Sequence, residues 1–203
     1  MKKWIWLSVF IAFFIWSAIN PYDRLTWWLE VIPAMIAIVI IALTYKSFPL
    51  TPLLYQLILI HCIILLIGGH YTYAEVPFFN WLEEQFELSR NHYDKVGHFA
   101  QGFVPAILAR EIIIRLGVIA ESKVAWQNLM VVSICLAFSA FYELIEWWTA
   151  LLSEEAAESF LGTQGYIWDT QSDMLYALIG AVSALILLSK THTKQIQQLP
   201  KSF

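Results

Sequence analysis

The sequence predicts an all-α, polytopic membrane helix bundle of about six transmembrane helices, with one short interfacial helix. Three observations carry this. Charged residues make up 14% of the 203 and hydrophobic residues 59%, where a soluble domain carries roughly a quarter charged residues. Mean hydropathy is +0.62. Apolar runs recur at 4–19, 28–45, 53–69, 96–116, 129–151 and 170–188, each near the ~20 residues that cross a hydrocarbon core. The chain has room for one transmembrane domain over 1–203 and for no separate soluble domain. A net charge of −4, with no basic cluster among the aromatics, excludes a nucleic-acid partner.

The elements follow in order. Lys2 and Lys3 before the first run resemble the start of a signal peptide, but Trp16-Ser17-Ala18-Ile19 lacks a small-x-small cleavage site. The first run is therefore read as a retained helix. Pro33 and Pro105 fall inside runs, which bilayer helices tolerate when neighbours satisfy the freed carbonyls. In the segment 70–95, Asn80 followed by Glu83 predicts a helix capped at Asn80. Its Phe78, Phe79, Trp81, Leu82 and Phe86 would lie in the headgroup region while Glu83, Glu84 and Glu87 face water. The segment 152–169 mixes Glu154, Glu155 and Glu158 with Phe160, Leu161, Gly162 and Gly165, and reads equally as a lid or as a solvated connector. Cys62 and Cys135 lie in apolar runs and read as packing residues. Gly180 among Ala177, Ala181 and Ala184 predicts a close helix contact.

The basic residues orient the chain. With the N-terminus inside, the inner side receives Lys2, Lys3, Lys46, Arg110, Arg115, Lys123, Lys190, Lys194 and Lys201, and the outer side only Arg24, Arg90 and Lys95. Both termini are expected in the cytoplasm. On this reading Arg110, Glu111 and Arg115 mark the inner end of the 96–116 helix, where long basic stems snorkel.

A charged side chain at the centre of a membrane helix costs roughly 2.5–3.5 kcal/mol on insertion scales. Three groups therefore ask for an explanation. Asp94, Lys95, His98 and Gln101 enter the fourth run; Glu143 and Glu146 close the fifth; Asp169 and Asp173 enter the sixth. Alternating helix direction brings all three to the outer leaflet level. His98, Glu143, Glu146 and Asp173 are the candidate acid–base residues, or the ligands of a divalent metal if one is bound. Asp94, Lys95, Gln101 and Asp169 would support them. No H-E-x-x-H motif is present. The plainer alternative is an interhelical network in which Lys95, His98 and Gln101 neutralise the carboxylates.

These residues resemble the VanZ-like superfamily of small membrane proteins. Its Asp-Lys-x-x-His-Phe opening is matched by Asp94-Lys95-Val96-Gly97-His98-Phe99. Its late Glu, often followed by Gln three residues on, is matched by Glu143, with Glu146 in place of the Gln. Its closing Asp-x-x-x-Asn-x-x-Gly is matched by Asp169 or Asp173 above Gly180, with Tyr176 or Ala177 where Asn is usual. The stretches 92–103, 142–148 and 162–173 are more closely similar to the YjdF family of uncharacterised bacterial inner-membrane proteins. The resemblance implies an inner-membrane location and the same site residues. The VanZ branch is linked to lipoglycopeptide resistance, an activity it does not carry over.

Three functions compete at this stage. The first is an enzyme or processing factor acting at the outer leaflet on a lipid or lipid-linked envelope molecule. The second is a non-catalytic module binding a lipid or partner protein, with the polar residues as packing. The third, a transporter, ranks last because a transport path needs polar residues through the whole depth. The orientation is directly testable. A fluorescent protein that matures only in the cytoplasm, fused after Phe203, is expected to fluoresce; activity of a reporter that works only after export would reverse the topology.

Overall fold

A computed structural model describes residues 3–120, 122–152 and 166–199. Residues 153–165 of the segment read as lid or connector, with Gly162 and Gly165, lie outside them. Seven α-helices and one 3-10 turn make up the described residues, which contain no strand. The helices are α1 (Lys3–Ala18), α2 (Arg24–Thr44), α3 (Pro52–Tyr71), α4 (Pro77–Phe86), α5 (Tyr93–Arg115), α6 (Val124–Leu152) and α7 (Asp169–Gln198). By length and composition α2, α3, α6 and α7 can each cross a membrane. The 16 residues of α1 are apolar but fewer. The 23 residues of α5 are long enough but carry Asp94, Lys95, Arg110, Glu111 and Arg115.

Local chemistry sets the helix starts. Asp23 caps α2 by accepting from the Thr26 N–H at 2.7 Å. Thr51 caps α3, with Pro52 in its first turn where a missing N–H costs nothing. The α4 start differs from expectation. Pro77 opens this helix after Val76, so Asn80 sits inside the first turn and caps nothing. Proline at the first position dominates here because its φ is preset for the helix. The Asn80 side chain instead donates to Glu75 at 3.2 Å and accepts from Asn91 Nδ2 at 2.5 Å. Asn91 also donates to the Val76 carbonyl and accepts from the Tyr93 N–H, tying α4 to the start of α5. Phe78, Trp81 and Phe86 are exposed, and Phe79 packs on Tyr93 with ring centroids 5.2 Å apart.

Helix α5 is the centre of the bundle. It packs on α3, α6 and α7, and α3 in turn contacts α1 and α2. The α5–α7 contact is the tightest. The two helices run parallel, and a Cβ placed on Gly102 would lie 1.8 Å from the Ala177 carbonyl oxygen. One placed on Gly180 would lie 2.1 Å from the Phe99 carbonyl oxygen. Ala106, Ala177, Ala181 and Ala184 are fully buried along the same seam. Water-driven collapse does not bring helices together inside a bilayer, so such close backbone packing supplies the association. Tyr73 wedges between α3 and α5, its ring lying where side chains at Gly68 and Gly97 would be.

Replacing Gly180 with alanine is expected to destabilise the protein by about 1–3 kcal/mol, as overpacking does. Thermal unfolding in detergent checks this; an unchanged melting temperature would show that the α5–α7 seam yields.

Candidate functional site

Two polar clusters sit at opposite ends of the α5–α7 pair. At the first end, Lys95 is the hub. Its Nζ lies 2.6 Å from Asp173 Oδ1, 2.8 Å from Ser172 Oγ, 3.1 Å from Asp169 Oδ1 and 3.3 Å from Asp94 Oδ2. Arg90 joins them, with Nη2 2.9 Å from Asp94 Oδ2 and 2.8 Å from Asp169 Oδ1. The Tyr166 ring lies 5.0 Å from the Arg90 guanidinium and 5.4 Å from Lys95 Nζ, within cation–π range. An ammonium has three protons to donate, so Lys95 is fully engaged. Asp94, Lys95 and Asp173 are all buried. The i, i+4 spacing of Asp169 and Asp173 puts both on the face of α7 that meets Lys95.

His98 stands one turn below. Its Nδ1 is 3.0 Å from Gln101 Oε1 and 4.0 Å from Glu143 Oε1, and its Nε2 is 3.6 Å from Asp173 Oδ2. One donor atom each from His98, Glu143 and Glu146 lies within 4.8 Å of the others, and so do donor atoms of Asp94, Asp169 and Asp173. The two triads differ in one respect. Lys95 and Arg90 already stand among the three aspartates. Among the described residues no lysine or arginine forms an ion pair with Glu143 or Glu146.

A cavity of about 510 Å³ opens between α6 and α7 against Glu143 and Glu146. Glu143, Glu146 and Thr170 contribute its polar wall, and Leu144, Trp147 and Met174 its apolar one. Trp147 and Leu144 are themselves exposed on the lateral face.

All eight residues singled out from the sequence thus lie at one end of the bundle. His98, Glu143 and Glu146 meet; Asp94, Lys95, Asp169 and Asp173 form the ion-pair net; Gln101 holds the imidazole. Arg90 was assigned from sequence only as an outer-side charge, because it lies in a connecting segment. Glu30 was missed altogether. It is buried in α2, and Tyr142 donates to its Oε2 at 3.5 Å, linking it to the residue before Glu143. The available signal was a lone glutamate inside an apolar run.

The opposite end changes the sequence reading further. Glu111, read from the sequence as a charge at the inner helix end, is fully buried, as is His192 of α7. Glu111 accepts from Thr51 Oγ1 at 2.7 Å, from the Thr51 N–H at 3.1 Å, from Arg115 at 3.0 Å and from His192 Nε2 at 2.9 Å. Arg110 lies 3.0 Å from His192 Nδ1 and can only donate, so Nδ1 accepts and the imidazole proton sits on Nε2. Every strong donor and acceptor here is matched. Such satisfied networks hold helices in register. Polar residues are therefore buried at both ends, and among the described residues only the first end leaves buried carboxylates without a lysine or arginine partner.

Removing the ammonium is expected to be costly. Lys95→Met leaves buried Asp173 without its ammonium partner, beside half-buried Asp169, and should destabilise the fold by about 3–5 kcal/mol, the usual cost of breaking a buried pair. Adding Asp173→Asn should recover part of that loss in thermal unfolding; no recovery would place the lysine's main role elsewhere.

Comparison with known proteins agrees with the membrane architecture. The family model described as "Predicted membrane protein (DUF2238)" matches residues 2–194. The chain is 50% identical over 185 residues to the Inner membrane protein YjdF of Escherichia coli (strain K12), an overlap covering 91% of this chain and 87% of that protein. No solved structure matches it. With both comparisons spanning most of its length, the chain belongs to the YjdF family of multi-pass inner-membrane proteins, described by the DUF2238 model.

Proposed function

We propose that this protein acts on the headgroup of a lipid or lipid-linked envelope molecule at the outer leaflet of the inner membrane, using His98, Glu143 and Glu146. The observation that carries the reading is the cavity between α6 and α7. Its apolar wall suits an acyl or prenyl chain, while its polar wall carries two carboxylates that no lysine or arginine among the described residues pairs with. Pockets that pair apolar walls with a few convergent polar groups are the usual form of a small-molecule site. His98 and the glutamates offer acid and base within reach of one another. Asp94, Lys95, Asp169 and Asp173 hold the helices that present them.

The proposal takes all six long helices as spans. Helix α5 runs beside α7 from end to end, and its charged positions face protein, which relieves the cost of placing them at membrane depth. Helix α1 reaches about 24 Å at 1.5 Å per residue, and local thinning or flanking Trp and Lys residues accommodate the shortfall. Lys46, Lys123, Lys190 and Lys194 lie toward the Glu111 end, so that end is assigned to the cytoplasm and the His98 end to the periplasm. The Asp94–Phe99 motif and Glu143 support kinship with the VanZ-like proteins on the same residues.

One observation favours a structural role for part of the cluster: the Lys95–Arg90 net is saturated. That assigns Asp94, Asp169 and Lys95 to scaffolding and leaves the triad to work.

Lipid and lipid-linked envelope profiles of a deletion strain, complemented with wild type, His98→Ala or Glu143→Gln, test the reading. Loss of a general acid or base typically lowers a rate 10²–10⁴-fold, so about that loss of complementation is expected from either variant. A Glu143→Gln protein that folds and restores the full profile would favour the non-catalytic module instead.

A further inference from the structure

The unequal charge balance of the two triads points to a ligand. Among the described residues, the first end gathers the carboxylates of Asp94, Asp169, Asp173, Glu143 and Glu146, with Glu30 behind Tyr142, and the cations Arg90 and Lys95, both engaged with the aspartates. Glu143 is only 9% exposed. Its Oε1 is buried without a hydrogen-bond partner and is directed at His98 Nδ1, 4.0 Å away. A buried carboxylate oxygen without a partner costs free energy unless something positive reaches it. Four donors meet that need around Glu111, and a lysine does so around Asp173. Beside Glu143 stand another carboxylate, the His98 imidazole and the Thr170 side chain, while Lys95 is held by the aspartates.

We infer that His98, Glu143 and Glu146 bind a divalent cation of the first transition row, with Asp173 orienting the imidazole from behind. The spacing suits one. Ligands at about 2.0–2.2 Å from an ion in a tetrahedral site lie about 3.3–3.6 Å apart. The His98–Glu143 pair, 4.0 Å apart, and the triad, within 4.8 Å, close to that spacing with side-chain movements of about 1 Å. With Nδ1 turned to the ion, Nε2 faces Asp173 Oδ2 at 3.6 Å, and a side-chain movement of about 0.6 Å would complete the carboxylate–histidine–metal arrangement that fixes a ligand's tautomer. Gln101 Oε1, 3.0 Å from Nδ1, is a further oxygen donor at the same place. One nitrogen with carboxylate oxygens favours Zn²⁺ or Mn²⁺ over Ca²⁺ or Mg²⁺. The wall of the cavity then presents a Lewis acid to the headgroup. The inference deepens the proposed function, since it concerns the same site, but it is tested without reference to lipid.

The experiment measures Zn²⁺ and Mn²⁺ binding to the full-length protein, purified in detergent and stripped with a chelator. About one ion per chain is expected, with calcium failing to compete. His98→Ala and Glu146→Gln should weaken affinity at least about 10-fold, and Asp173→Asn about 10–100-fold, as loss of an outer-shell carboxylate does. Glu84→Gln, on exposed α4, should change nothing. Electron spin-echo spectroscopy of the wild-type Mn²⁺ form should show coupling to one imidazole nitrogen, a readout that needs no variant to fold. Absence of bound metal, an oxygen-only coordination shell, or loss of binding on Glu84→Gln but not on His98→Ala would overturn the site. If metal is absent while the lipid profile still depends on Glu143, the proposed function stands on acid–base chemistry and only the metal falls.

Discussion

The backbone contact between α5 and α7 is the constraint on which the rest of this molecule depends. Helices in a bilayer gain little from hiding apolar surface from one another. What binds α5 to α7 is close approach, bought with glycine at 102 and 180 and alanine at 106, 177, 181 and 184. That approach puts Lys95 against Asp173 at one end and Glu111 against His192 at the other. Along α5 the two anchor points are sixteen residues apart, about 24 Å at 1.5 Å per residue. The helices are thus pinned twice along that length, with small residues in between.

The two pins are chemically unlike. The Glu111 cluster is closed: its carboxylate takes hydrogen bonds from α3, α5 and α7, and the histidine tautomer is dictated by Arg110. Nothing there invites a ligand. The Lys95 cluster is closed on its α5–α7 side and open toward α6, where Glu143 and Glu146 face His98 and the cavity. One site thus has a rigid, satisfied half and a half short of positive charge. Rigid support beneath an incompletely satisfied group is how proteins hold reactive side chains in place. Glu30, reaching the same region through Tyr142, adds a further buried carboxylate on the α2 side.

Much of this was legible in the chain. The apolar runs marked the long helices, and the i, i+3 and i, i+4 spacings in 94–101, 143–146 and 169–173 marked faces that had to meet. The small residues around Gly180 marked the seam. Other features had no local signature. Proline outweighed Asn80 at the start of α4, a choice between two valid capping signals that only the three-dimensional path resolves. Glu111 looked like a helix-end charge because its partners, Thr51 and His192, are distant in sequence. Arg90 looked like a loop cation because Asp169 is seventy-nine positions away.

The sequence by itself determined that the chain is an all-helical membrane protein, and it named the residues that cluster at one end. Composition and periodicity suffice for that, because each helix must satisfy its own backbone in a bilayer whatever its neighbours do. Only the tertiary structure decided how the charges are divided. It matched Lys95 and Arg90 to the aspartates, left Glu143 Oε1 without a partner beside His98, and buried a second network at the other end. Whether a carboxylate is neutralised depends on donors a few ångströms away, and those distances are set by how helices cross, which no run of adjacent residues encodes.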